Sequence, residues 1–247
     1  MLNQISMNNP KRPEETEVIW RYIGLDKLID LLLTKSIKFS QVKIAADQNE
    51  LTLPLSSIEE KHLKSAQKFI EEMRSIMYIS CWSLKPHESR SLWYAYLDKT
   101  LLGVAIKTNV GSLINSISWN QYSFDYRIVD YRNSFNPEEI QNNIITVNTK
   151  SVAYEEETEV RFSISALSNI SSESPDEYAK RFLDFTNRLN ELEPVISLDI
   201  DLPTLNSEIY VSPYCADWQK KSIKDLIKKL CPELTNRIVD SRINERI

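Results

Sequence analysis

The sequence has few of the residues on which several common active sites depend. Its 247 residues include only three glycines, so neither a P-loop nor a GxGxxG dinucleotide turn can be written anywhere in the chain. The two histidines, His62 and His87, have no cysteine pair to assist them, which argues against zinc sites of the usual ligand sets. If the protein is an enzyme, Glu, Asp, Arg, Ser and Tyr must carry the chemistry, and we expect no metal.

Long apolar runs and paired cysteines are also absent. No run approaches the ~20 apolar residues that span a bilayer, and the first residues lack the pattern of a secretory leader. Cys81, Cys215 and Cys231 are widely spaced without a CxxC pair, as is typical of reduced thiols in a reducing compartment. We therefore expect a cytoplasmic protein with no membrane partner.

Charge and composition are those of an ordinary globular chain. The formal net charge of -5 argues against a broad nucleic-acid-binding surface. With 42 % hydrophobic and 26 % charged residues, a chain of this length can bury one sizeable core. We predict a flexible N-terminal lead-in over residues 1–16 and a single domain over residues 17–247.

Strand and helix patterns follow one another in an irregular order. Strand patterns occur at 17–24, 37–42, 76–83, 101–109, 122–132, 154–166, 207–213 and 236–244, and helix patterns at 25–36, 57–75, 89–100, 110–117, 136–152, 177–192 and 214–232. This order predicts an α+β fold with mixed and antiparallel sheets and flanking helices, rather than a doubly wound α/β fold.

The segment "YEEETEVRFSISA", residues 154–166, combines charge with strand periodicity. Glu157, Glu159 and Arg161 share one parity, and apolar residues occupy the other, so a half-buried strand with two carboxylates and a guanidinium on one face is predicted. That face is either solvated surface or a polar cleft.

Several motifs together resemble the bacterial family called domain of unknown function 2971. The motifs are "WRY" with a following amphipathic helix and "IKFS" (20–40), "SCWS" with "ESRSLWYAY" (80–96), "VAIKT" (104–108), "EEETEVRFSI" (155–164) and "SEIYVSPYCADW" (207–218). The acidic segment that usually follows the second strand in that family is replaced here by "AADQNELTLP".

The layout of that family is in turn similar to ADP-ribosyltransferases, which implies a split sheet that binds NAD as substrate. By this resemblance Arg21 lies on the NAD pyrophosphate, Tyr22 or Ser40 lies near the nicotinamide ribose, and Glu159 lies beside the ribose carbon that loses nicotinamide. The segment from Ser80 to Ser83 departs from the Ser-Thr-Ser pattern of the arginine-specific members, so the target residue stays open.

The chemistry explains why carboxylates are the candidate catalytic residues. Loss of nicotinamide develops positive charge on the ribose, which a carboxylate stabilises, as in glycoside hydrolysis. Glu159 could supply it, Glu157 could orient or deprotonate the nucleophile, and Arg161 could keep the pair ionised or contact a phosphate. The alternative for the glutamates is a solvated strand face, and the alternative for Arg21 is a structural ion pair, with Glu159 itself as a candidate partner.

Further candidate substrate-binding residues come from the "SCWS" and "ESRSLWYAY" motifs. They are Trp82, Ser83, Glu88, Ser89, Trp93 and Tyr96. The aromatic members could line a slot for a nicotinamide or adenine ring, although aromatic residues at helical spacing also suit a core. The acid and the hydroxyl before the helix also suit its N-terminus.

Two functions of different class follow. The first is an NAD-dependent ADP-ribosyltransferase-like enzyme that modifies an unknown macromolecule or hydrolyses NAD, a role found in bacterial toxins and phage defence. The second is a non-catalytic module that binds a nucleotide or a protein through the same polar cleft. A nuclease is a weaker option, because no spaced acidic cluster for Mg²⁺ is evident.

Overall fold

A computed structural model describes residues 10–44, 59–97, 99–120, 122–133, 147–167, 174–241 and 243. The strands are β1 (Val18–Gly24), β2 (Ser36–Gln41), β3 (Met77–Leu84), β4 (Gly103–Asn109), β5 (Phe124–Ile128), β6 (Asp130–Arg132), β7 (Thr149–Ser151), β8 (Glu159–Ser165), β9 (Val195–Asp199), β10 (Glu208–Val211) and β11 (Ile238–Asp240). The α-helices are α1 (Leu25–Thr34), α2 (Glu60–Ile76), α3 (Arg90–Tyr96), α4 (Val110–Ser116), α5 (Pro175–Thr186), α6 (Leu202–Leu205) and α7 (Asp217–Leu230).

Nine of these strands form one sheet. Its order is β11-β10-β4-β1-β3-β2-β9, with β8 paired to β3 and β5 paired to β8. All pairings in this sheet are antiparallel except that of β10 with β11. Strands β6 and β7 form a separate parallel pair. The chain is therefore a mixed fold with a mostly antiparallel sheet and flanking helices, as the irregular order of elements predicted.

Strand β3 is the point at which the sheet forks. It pairs with β8 from Met77 to Ser83. It also pairs with β2 at Tyr78 and Ile79 and with β1 at Ser83 and Leu84. Because a strand has only two edges and β8 occupies one along nearly its whole length, β1 and β2 must share the other. They diverge from each other along β3 and leave an opening between them.

The two faces of the sheet bury separate apolar clusters. The larger cluster packs β-strand residues such as Ile19, Val160 and Phe162 against α1, α4 and α7, and these three side chains are fully buried. The smaller cluster lies on the opposite face, where Trp20 and Tyr22 of β1 pack on Trp93 of α3. Strand residues of opposite parity therefore belong to different cores.

Helix α1 forms one wall of the fork because its leucines recur at helical spacing. Leu28 and Leu32, one turn apart, are buried, and Asp26 lies in the first turn, where a negative charge favours the helix dipole. The helix ends where Lys35 takes a left-handed conformation (φ 47°), so that β2 begins at once and returns beside the helix.

The prediction of a half-buried strand over 154–166 is wrong in two respects. Strand β8 begins only at Glu159, because residues Val152–Glu157 form a 3₁₀ helix and Thr158 has a left-handed backbone (φ 42°). Both faces of β8 are then covered, with Glu159 2 % exposed and Arg161 fully buried. Glu157 therefore does not share a strand face with Glu159.

The described part of the predicted lead-in, residues 10–16, contacts β5 and α4: the Ile128 amide donates to the Lys11 carbonyl (2.9 Å) and the Gly111 amide to the Glu15 carbonyl (2.8 Å). The helix expected over 136–152 falls mostly outside the described residues, and its last part is strand β7, because that backbone pairs with β6.

Candidate functional site

A cleft of about 310 Å³ opens in the fork between β1 and β2. Its size is at the lower end of the range for small-molecule sites. Arg21 and Ile23 of β1 line one side, Ser36 to Ser40 of β2 the other, and Trp82 of β3 also borders it. Of the residues proposed from sequence, Arg21, Ser40 and Trp82 are thus brought together around one cavity.

The charged end of Arg21 is desolvated in this cleft. Its Nη1 donates to the Ser80 hydroxyl (2.9 Å), and its guanidinium carbon lies 5.6 Å from the centre of the Trp82 ring, a cation–π distance. Burial lowers the pKa of Arg21, and Cys81 and Tyr96 partly oppose that shift. Within the described part of the chain no carboxylate forms an ion pair with Arg21.

The far wall of the cleft carries both acids and bases from α1 and β2. Asp26, Lys27 and Asp30 come from α1, and Lys38 comes from β2. Lys38 is held in place, because its Nζ lies 3.2 Å from an Asp30 carboxylate oxygen and donates to the hydroxyls of Ser36 and Ser197. This end therefore offers carboxylates, hydroxyls and two lysine side chains, while the Arg21 end offers a guanidinium.

A second polar cluster lies around β8. Arg161 Nε donates to Glu159 Oε1 (2.8 Å), and Arg161 Nη2 and Lys150 Nζ each donate to Oε2 (3.3 Å). Lys150 Nζ also donates to Glu157 Oε2 (2.7 Å). Arg161 Nη1 bonds to the carbonyl of Val147. Two carboxylates and two cations thus take part in one ion-pair network, as buried charges require.

This network keeps Glu159 ionised. Burial by itself raises the pKa of Glu159, but the charge and hydrogen bonds of Arg161, the charge of Lys150 and a hydrogen bond from Cys81 outweigh it. The net effect is a pKa below the ordinary value for glutamate. Tyr131 completes the surroundings, since its hydroxyl accepts from the Glu159 amide (2.8 Å). The pKa of the Tyr131 hydroxyl is raised, mainly because the hydroxyl is buried.

Tyr96 and Cys81 are electrostatic neighbours of both Arg21 and the carboxylate network. Tyr96 is 41 % exposed as a residue, yet burial of its hydroxyl end is the largest cause that raises its pKa, followed by the charges of Glu157 and Glu159. The same Tyr96 and Cys81 influence the pKa of Arg21. Arg21 and Glu159 nevertheless lie on opposite faces of the sheet. Trp20 pairs with Ser83 and Ser83 with Glu159, so Glu159 shares the face of Trp20 and not that of the adjacent Arg21.

Four of the residues proposed as substrate-binding form an internal network on the α3 side of the sheet. Trp93 is fully buried, and its indole N–H donates to Glu88 (2.8 Å), which also accepts from the Ser241 hydroxyl (2.6 Å). The Ser89 amide donates to the Tyr22 hydroxyl (2.8 Å). The pKa of the Tyr22 hydroxyl is raised, mainly because the hydroxyl is buried. These groups satisfy one another and join α3 to β1.

Ser83 belongs to the β8 cluster rather than to the cleft. It lies opposite Glu159 in the β3–β8 pairing, and its hydroxyl donates to the Glu157 carbonyl (2.6 Å). It therefore positions the turn that carries Glu157.

Sequence reasoning missed three residues of this region: Lys150, Tyr131 and Ser80. Lys150 bridges both glutamates, and its one signal was a lone lysine just before an acidic run. Ser80, which accepts from Arg21, had been noted only as a departure from a motif. Tyr131 carried no signal, because its contact with β8 depends on tertiary structure.

Comparison with known proteins adds no assignment. No family model matches the chain, and no curated protein or solved structure matches it significantly. The resemblance described above therefore rests on the sequence motifs alone. Among the residues that the structure describes, no helix is long and apolar enough to cross a membrane, and no group of three or more His, Cys, Asp or Glu is placed to hold a metal ion.

Proposed function

We propose that the protein binds NAD in the cleft between β1 and β2 and breaks its nicotinamide–ribose bond, either transferring ADP-ribose to a macromolecule or hydrolysing NAD. We also propose that the sheet is a split sheet like that of the ADP-ribosyltransferases, and that the fork at β3 is the point of the split. The observation that carries the proposal is Arg21, a desolvated guanidinium in a cleft without a carboxylate partner in the described chain.

The physical argument for a phosphate ligand starts from the cost of burying charge. A guanidinium taken out of water needs an anionic partner, and in folded proteins that partner is usually a carboxylate. The Glu159 carboxylate, the structural partner considered from sequence, is instead bonded to Arg161 and Lys150. A diphosphate would supply the missing charge at Arg21, with oxygens that match the guanidinium fork.

The reaction requires a carboxylate near the ribose. As the C1′–N bond breaks, its electron pair leaves with nicotinamide, C1′ gains positive charge, and a nucleophile then bonds to C1′ and loses its proton to a base. In the proposal Glu159 stabilises that charge and Glu157, whose side chain is 17 % exposed, accepts the proton. Because Lys150 occupies both carboxylates, substrate must displace it from at least one.

The second candidate is a nucleotide- or protein-binding module without catalysis. One observation favours it: Glu159 is 2 % exposed, and both of its carboxylate oxygens already accept from cations. A carboxylate held in this way is structural unless the network opens. The two candidates share the Arg21 site. They differ in whether Glu159, which lies on the opposite face of the sheet, reaches the ribose through the fork at β3.

Release of free nicotinamide from NAD distinguishes the candidates. The assay compares the wild-type protein with Glu159→Gln and Arg21→Ala, each checked for folding by circular dichroism. Glu155→Gln, a change at an exposed glutamate of the same segment, serves as the matched control. The enzyme proposal expects release by the wild type and the control and at least about a hundredfold less by Glu159→Gln. NAD binding without release, with or without added cell extract as a source of target, would establish the binding module instead.

A further inference from the structure

One polar atom beside the cleft has no hydrogen-bond partner. Trp82 is 3 % exposed, and its indole Nε1 is buried without an acceptor among the described residues. Each of the other four indoles has an acceptor or is open to solvent. Trp20 donates to the Lys85 carbonyl, Trp93 to Glu88 Oε1 and Trp119 to the Ile114 carbonyl, while Trp218 is 69 % exposed. Buried donors of native proteins are normally satisfied, so this exception calls for an explanation.

The unpartnered indole belongs to the same cavity as Arg21. Trp82 lines the cleft, and the Arg21 guanidinium lies 5.6 Å from its ring centre. Arg21 in turn has one hydrogen bond, to Ser80, and no carboxylate partner among the described residues. A positive charge without a carboxylate partner and an N–H without an acceptor thus belong to two neighbouring side chains that line one cavity. Both deficits are met by the same kind of group, an oxyanion with several acceptor oxygens.

We propose that Trp82 Nε1 and Arg21 together bind one phosphoryl group, and that the cleft selects nucleoside diphosphates by their phosphates rather than by their base. This inference rests on the proposed function for the location of the site, but it does not require catalysis. The opposite end of the cleft fits the rest of such a ligand, since Asp26 and Asp30 present carboxylates that can accept from ribose hydroxyls. The indole N–H must turn or be uncovered to reach the ligand, so binding should change its environment.

The direct test follows the indole N–H signals of ¹⁵N-tryptophan-labelled protein by NMR. Inorganic pyrophosphate, ADP and adenosine are added separately, and the Trp82 signal is assigned with Trp82→Phe. Pyrophosphate and ADP should both shift the Trp82 signal, while adenosine at the same concentration should leave it in place. Trp82→Phe, which keeps an aromatic ring for Arg21, should weaken ADP binding about tenfold. Trp218→Phe, a change at an exposed indole, should bind ADP like the wild type.

Several outcomes overturn the inference. They are no binding of either phosphate probe, a Trp82 signal that stays in place when the probes bind, or unchanged ADP affinity in Trp82→Phe. Nicotinamide release from NAD separates this inference from the proposed function. Phosphate binding through Trp82 without release of nicotinamide would support the anion site and refute the proposal that the protein is an enzyme. Release of nicotinamide by the wild type, combined with unchanged ADP affinity in Trp82→Phe, would support the enzyme and refute the role of Trp82 in phosphate binding.

Discussion

Replacing Arg161 by methionine tests whether the buried charges of the β8 network depend on one another as its geometry indicates. Arg161 is fully buried and donates to both oxygens of Glu159 and to the Val147 carbonyl. Methionine fills similar apolar volume but leaves the Glu159 carboxylate, itself 2 % exposed, with Lys150 as its remaining cation in the network. Breaking a buried pair in this way costs about 3 to 5 kcal/mol, because a charge stays buried without its partner.

Urea unfolding followed by circular dichroism and tryptophan fluorescence measures that loss. For a chain of this length, it corresponds to a fall in Tm of about 6 to 20 °C. Arg12→Met is the matched control: Arg12 pairs with Asp125 at 2.6 Å, but its side chain is 54 % exposed, so the change should cost less than about 1 kcal/mol.

A double variant separates the pair from its surroundings. Arg161→Met combined with Glu159→Gln removes both charges, and its free energy of unfolding should fall by clearly less than the sum of the two single changes. If Arg161→Met costs no more than Arg12→Met, or if the changes at Arg161 and Glu159 are additive, the reasoning about a buried, mutually dependent ion pair is refuted.

Three further predictions concern other charged groups. Arg21→Met should leave the free energy of unfolding unchanged or raise it by about 1 kcal/mol, since it removes a desolvated charge with no carboxylate partner in the described chain, and marked destabilisation in urea would show a structural role instead. Glu159 has a lowered pKa in the folded protein, so its contribution to stability is present above the unfolded-state pKa of about 4.3 and is lost as pH falls through the lower folded value. Urea midpoints measured across that range should therefore fall more steeply for the wild type than for Glu159→Gln, and parallel curves would contradict the assignment. Glu88→Ala should cost about 1 to 3 kcal/mol because it leaves the Trp93 indole N–H unsatisfied, while ADP affinity should not change; weaker ADP binding would return Glu88 to the site.

The elements of the fold could be predicted where local patterns decide them. The leucine spacing of α1 and the β-branched and aromatic residues of β1 and β3 predicted these elements to within a few residues. The segment before β8 could not be predicted, since its alternating charges mimic a strand. The break comes at Thr158, whose left-handed backbone ends the 3₁₀ helix directly before β8 begins to pair with β3.

The site was predictable in its parts but not in its arrangement. Arg21, Ser40 and Trp82 were candidates, yet their meeting around one cavity depends on β1 and β2 sharing an edge of β3, which no local pattern reveals. Trp93 was predicted as substrate-binding because the motif around it resembled a family motif. Its indole donates to Glu88, which also accepts from Ser241, a residue 148 positions after Trp93, and only tertiary structure brings Ser241 to this network.

Calorimetric titration of ADP-ribose into wild-type protein and Arg21→Met tests the central claim, an anion site at the fork of the sheet, most directly. The wild type should bind ADP-ribose, and the variant, with its fold intact, should bind at least about tenfold more weakly because a charged hydrogen-bond partner of the phosphate is gone. Equal affinity in the two proteins, or no binding by the wild type, would contradict the account.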